Sequence, residues 1–198
     1  AAFQEKGVLA SDDAPGRYLY RLLRAGHAQR GLVCVCHGAA DANHGPVLVA
    51  RALGYLAAAK HGLSEDELLD VLSDDAEVYA DFIGRARHEP PEPRLPVVVW
   101  SRLSFDLESH LVARAADGAT LLGFYHRELG EAVEARFLAG EDRRERHRAL
   151  ATYFAAQPLL VPGARGPAPH RRKVAELPSP QVGGALWEDL RPTLADFE

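Results

Sequence analysis

Residues 117–137 read DGATLLGFYHRELGEAVEARF, and the pattern changes period half-way along. Asp117-Gly118 is a strong tight-turn signal between two apolar runs, 111–116 and 120–125, so both runs are expected as short strands of one hairpin. Beyond residue 125 the apolar residues Leu129, Val133 and Phe137 recur every four positions with Ala132 beside them, which predicts an amphipathic helix. His126 stands at the joint, in the first turn of that helix or just before it. Its spacing to Leu129 puts it on the face that carries the apolar stripe. Two roles are open to a histidine so placed: a packed structural residue with a local hydrogen bond, or a sensor.

Working outward, residues 97–109 (VVVWSRLSFDLES) follow Pro96 and carry Trp100, Leu103 and Leu107 at helical spacing, which predicts a helix immediately before the hairpin. Residues 88–96 hold four prolines and are expected as an extended, exposed connection. Residues 46–60 (PVLVARALGYLAAAK) carry only Arg51 and Lys60 as charges, and Pro46 suits a first helical turn. A helix so apolar around its circumference is buried or awaits a neighbour. Gly62 is expected as its left-handed cap. Ser64 and Glu67 form a capping box for a helix over 65–72 that buries Leu68, Leu69 and Leu72. A further short helix is predicted over 75–85 through Val78, Tyr79 and Phe82. Helix, turn, helix, later helix, two-stranded wing and closing helix make a winged-helix topology within a mainly α fold.

The flanks are less patterned. Residues 1–45 are expected as an N-terminal helical and loop segment, partly disordered, with a short amphipathic helix over 18–24 that is basic on one side. Within it Cys34, Cys36 and His37, with His44 the nearby extra ligand, invite a metal site, but one residue between the thiols is poor spacing for structural zinc, and no metal site is assigned. The winged helix is expected over 46–139 and a helical connector over 140–198. In the connector, the charge run 141–148 is expected as a solvated helical face, with Leu150, Tyr153 and Phe154 anchoring the second half of that helix. Residues 162–169 (PGARGPAP) read as a mobile, breaker-rich loop. Residues 170–177, 185–190 and 192–197 read as a last helical piece, interrupted at Gly183-Gly184, with Trp187, Leu190, Leu194 and Phe197 at helical spacing.

Composition excludes some functions. The 198 residues suit one domain or two small ones. A net charge of −5 argues against a general nucleic-acid binder. The expected recognition helix offers Arg102 against Asp106 and Glu108, and the wing offers Arg114 beside Asp117, too few cations for a phosphate surface. No apolar run approaches the roughly 20 residues needed to cross a bilayer. Two cysteines make no disulfide framework, so a cytoplasmic setting is expected. The chain has no methionine and begins Ala-Ala-Phe, so it is expected to be a piece of a longer one. It contains no G-x-x-x-x-G-K-[ST] loop, so hydrolysis of ATP is not expected of it alone.

Five stretches carry a resemblance: GYLAAAKHGLSEDELLDVLS (54–73), LPVVVWSRLSFDLESHL (95–111), ADGATLLGFYHRELGEAVEARFL (116–138), HRALATYFAAQP (147–158) and RKVAELP with ALWEDLRPTLADF (172–197). In this order they resemble the STAND-class, NACHT-type NTPases, above all those with WD or other repeats downstream. The resemblance covers residues 46–198; residues 25–45 fall outside it, and 178–184 (PSPQVGG) depart from the more apolar helix it implies.

The resemblance implies a regulatory, non-catalytic module lying between an NTPase domain and a repeat sensor. It implies that His126, within Phe124-Tyr125-His126, approaches the phosphates of ADP bound in the NTPase domain and helps hold the protein closed. ADP or ATP and magnesium would belong to that domain, with no cofactor of this chain's own. The implied partners are the NTPase domain, the downstream repeats and further copies in an oligomer, with no nucleic acid or membrane. The rival expectation is a stand-alone winged-helix adaptor that binds DNA or docks a protein.

Overall fold

The computed structural model describes residues 44–86, 90, 93–108, 110–164 and 166–195. The expectations for residues 1–43, including Cys34, Cys36 and His37, lie outside the described residues, as do residues 88, 89, 91 and 92 of the proline-rich connection.

Helix α1 (Pro46–Ala58) begins with proline at its first turn and is buried on nearly every side, with Leu48, Val49, Ala52, Leu53, Tyr55 and Leu56 all in the core. It ends at Ala59, whose extended backbone leaves the helix. Gly62 is therefore not its cap. Its φ of +91° instead turns the chain into Leu63. Ser64 and Glu67 close a complete capping box, and α2 (Glu65–Asp74) follows. Asp75 then caps α3 (Ala76–Arg85) through the amides of Glu77 and Val78. Helix α4 (Val97–Leu107) buries Trp100, Leu103 and Leu107 and leaves Val97, Val98 and Phe105 outside.

The wing is the expected hairpin. β1 (Leu111–Ala116) pairs antiparallel with β2 (Ala119–Phe124), Leu111 opposite Phe124 and Ala116 opposite Ala119. Asp117 and Gly118 both have positive φ, as a two-residue primed turn requires. Leu63 joins the sheet as an isolated bridge, its amide and carbonyl both bonded to Leu122. A Cβ at residue 62 would overlap the Leu122 carbonyl oxygen, so only glycine lets the turn approach β2 this closely. Helix α5 (Arg127–Phe137) closes the winged-helix arrangement with Leu129, Ala132 and Val133 inward.

Helix α6 (Glu141–Ala156) corrects one expectation: its charge run is not wholly solvated, because Arg146 and His147 are buried. A second correction concerns 162–169, where a second hairpin stands in place of a loop. β3 (Leu160–Gly163) pairs with β4 (Gly166–Pro169), Pro162 opposite Pro167 and Leu160 opposite Pro169. Short helices α7 (Arg171–Glu176) and α8 (Pro178–Gly183) follow, so the 178–184 stretch is mostly helical despite its composition. Helix α9 (Trp187–Ala195) contains Pro192 and buries none of its residues.

One hydrophobic cluster runs through the molecule. It joins Leu53, Leu68, Leu72, Trp100 and Val133 to Leu150, Phe154 and Leu177, so the core is continuous across residue 140. Two buried arginines reinforce the joint. Arg146 donates to the Asp75 carboxylate at 3.0 Å and to the Tyr55 hydroxyl at 3.3 Å, while Tyr55 donates to Asp75 at 2.8 Å. Arg172 grips Glu67 with two donors.

Candidate functional site

His126 is the N-cap residue of α5, with extended backbone at φ −109° and ψ 132°. Its carbonyl accepts from the amides of Leu129 at 3.2 Å and Gly130 at 3.4 Å, which starts the helix. The His126 side chain makes no cap hydrogen bond to that helix terminus. The first amides of a helix lack intrahelical partners and carry a partial positive charge, so the start of α5 suits an anion. Close packing of Phe124 against Gly130 holds the helix against the end of β2.

The Tyr125 ring stands edge-on to the His126 ring, 4.7 Å between centroids, and is 64% exposed. The Tyr125 amide donates to the His110 carbonyl at 2.8 Å, continuing the hairpin by one pair. His110 is only 5% exposed, and its Nε2 has no hydrogen-bond partner among the described residues. Burial lowers its pKa from the ordinary histidine value, and the neighbouring His126 lowers it further. Two imidazoles thus sit together behind one helix start, the inner one held toward neutrality. His110 was not singled out from the sequence. The signal was there: extending the 111–124 register by one pair sets residue 110 opposite 125. On the solvent side, Arg127 forms an ion pair with Glu131 at 2.7 Å.

The chemistry of this group fits one edge of a phosphate site. An imidazole N–H and two helix amides can donate to an anionic oxygen, and the remaining contacts would have to come from elsewhere. A cleft of about 560 Å³ opens nearby between the end of α1, β2 and α5, with Lys60, His61, Arg114 and Arg127 facing Glu131 and Glu134, but His126 does not line it. His44, weighed as an extra metal ligand, bonds Asp106 at 2.6 Å. Among the described residues no group of three or more His, Cys, Asp or Glu could hold a metal ion. No helix among them is long and apolar enough to cross a membrane.

The human NACHT domain- and WD repeat-containing protein 1 is 45% identical over 117 residues, which is 58% of this chain and 7% of that protein. Its mouse counterpart is 42% identical over 121 residues. The chain is related to a region of NACHT and WD repeat proteins. The human NACHT and WD repeat domain-containing protein 2 is 40% identical over 153 residues, 77% of this chain and 8% of that protein. The chain thus spans less than a tenth of the length of the curated relatives it matches. No family model matches the chain. No solved structure matches it either.

Proposed function

We propose that this chain is a regulatory, non-catalytic module of a nucleotide-switched NTPase, working beside a NACHT domain supplied by a longer polypeptide. Its task is to couple the nucleotide state of that domain to a sensor on its other side. His126 donates from its imidazole to a phosphate of bound ADP, and the start of α5 adds two amides and a favourable partial charge. Loss or exchange of the nucleotide removes that contact and frees the winged helix. The helices from α6 onward carry the change outward. The observation that carries this reading is the N-cap position of His126, which makes no side-chain cap hydrogen bond to the first amides of α5. Relatedness to NACHT and WD repeat proteins supports it.

The test is His126→Ala in the longer polypeptide. Faster ADP release and raised basal signalling are expected, on the order of tenfold for loss of one charge-assisted hydrogen bond of about 1.5 kcal/mol. Unchanged release together with unchanged basal signalling would overturn the reading.

A protein-docking adaptor is the second reading. The outer face of α4 favours it, with Val97, Val98 and Phe105 exposed, Phe105 at 76%. Such a face suits a protein partner better than a phosphate backbone, which calls for cations.

A further inference from the structure

We propose that Arg172 is a positioning residue for the wing: through the turn between α1 and α2 it sets where β2, and with it His126, stands. The Arg172 side chain comes from α7, more than a hundred residues along the chain from what it grips. Its Nε donates to Glu67 Oε1 at 2.8 Å and its Nη2 to Glu67 Oε2 at 2.9 Å. The same Nη2 donates to the Gly62 carbonyl at 2.9 Å. Nη1 points between Asp117 of the wing turn, 3.7 Å away, and Glu176, 3.8 Å away. The guanidinium lies 5.6 Å from the centre of the Phe154 ring, and the residue is 4% exposed.

The contacts with Glu67, Gly62, Asp117 and Glu176 bear on the wing. Gly62 and Leu63 form the short segment that pairs with Leu122: the Leu63 amide donates to the Leu122 carbonyl at 3.2 Å and the Leu122 amide to the Leu63 carbonyl at 2.7 Å. Four residues beyond Leu122 the chain reaches His126. Glu67 holds the other end of the segment through the Ser64 amide at 2.8 Å. Glu176, one turn along α7 from Arg172 and wholly buried, accepts from the amides of Lys60 at 2.5 Å and His61 at 3.2 Å. The segment 60–64 is therefore held at its start by Glu176, in its middle by Arg172 and at its end by Glu67, and β2 pairs with it. A planar fork that serves a carboxylate bidentately and a carbonyl at once is within reach of arginine and not of lysine or methionine. A residue needed only to fill space over Phe154 would not need those directed donors.

The role in placing the wing stands on the geometry alone. The extension to nucleotide rests on the proposed function of His126. Amide hydrogen exchange on the 198-residue chain tests the first part. In Arg172→Met the amides of Leu63, Leu122 and Tyr125 are expected to exchange about tenfold faster or more, while those in the middle of α1 and α6 keep their wild-type rates. The His126 ring proton resonances should move in the same variant, and Arg172→Lys should recover part of both effects. A uniform acceleration over all helices, or unchanged rates at Leu63 and Leu122, overturns the proposal. If Arg172→Met fails to fold, Glu67→Gln decides the matter by the same local-versus-uniform pattern.

The second part is a double-mutant cycle on ADP release in the longer polypeptide. Arg172→Met should speed release in the wild-type background and add nothing once His126 is alanine. Local exchange changes with no effect of His126→Ala on release would leave the positioning role standing and remove the nucleotide reading. Faster release in His126→Ala without local exchange changes in Arg172→Met would do the reverse.

Discussion

At the scale of single residues, the buried histidines tie stability to pH. His110 and His147 both have pKa values lowered chiefly by burial, in His147 with a smaller push from Arg143. The folded state therefore holds fewer protons than the unfolded one once the pH falls below the ordinary value of about 6.5. Their contribution is fully present above that value and is lost as pH falls through it toward the lowered folded values. Glu176 acts in the opposite sense, since burial raises its pKa and the folded state welcomes its proton. The urea midpoint should drop between pH 7.5 and pH 5.5, and His110→Gln should flatten that dependence. A midpoint that rises on acidification would show that Glu176 outweighs the two imidazoles.

At the scale of elements, junctions matter more than helix interiors. Asp75 caps α3, accepts from Tyr55 and neutralises the buried Arg146. Removing it leaves the buried guanidinium with the half-exposed Glu145 carboxylate at 3.1 Å and breaks a buried pair, which costs about 3–5 kcal/mol. Ser64 serves only as a cap, and its loss costs about 1 kcal/mol. Asp75→Ala should therefore lower the unfolding free energy several times more than Ser64→Ala, and equal losses would mean that Glu145 alone suffices for Arg146. The same junctions separate what local pattern reveals from what it hides. The wing, its turn and the Ser64 capping box were legible because each is specified within a few adjacent residues. So was the position of His126, since the period changes there. Arg146 and Arg172 were not legible: a cation on a charged helix looks solvated until residues 71 and 105 positions away are known to meet it. Gly62 reads as a helix cap in the sequence because proximity to a helix end and close approach to a distant strand ask for the same residue. The second hairpin was hidden by its prolines, which read as breakers whether the chain wanders or pairs.

At the scale of the whole molecule, the winged helix and the helices after it share one interior. Leu150, Phe154 and Leu177 pack in the same cluster as Leu68 and Trp100, and Arg172 with Glu176 closes the other side of the α1–α2 turn. A chain ending at residue 139 would expose that cluster, take Arg172 from Glu67 and leave Asp75 with Arg51 at 3.5 Å in place of Arg146. It should lose cooperative unfolding and bind apolar dyes, whereas the 198-residue chain should melt in a single transition. A sharp transition in the shortened chain would mean that the winged helix needs nothing beyond residue 139. Single-transition behaviour also has a mechanical meaning for the proposed switch. A displacement of the wing is delivered to the end of α6 without a soft joint to absorb it.

The small β3–β4 hairpin bears on how molecules meet one another. Pro162 stands opposite Pro167, and neither can donate, so they form a non-hydrogen-bonded pair, as Leu160 and Pro169 do two residues along. At such positions the peptide N–H would point away from the partner strand. The two outward positions of β4 are thus Pro167 and Pro169, and that margin offers no donor to an approaching strand. An exposed two-stranded ribbon would ordinarily invite edge-to-edge growth into larger sheets, and here the same prolines that obscure the hairpin in the sequence guard it against aggregation.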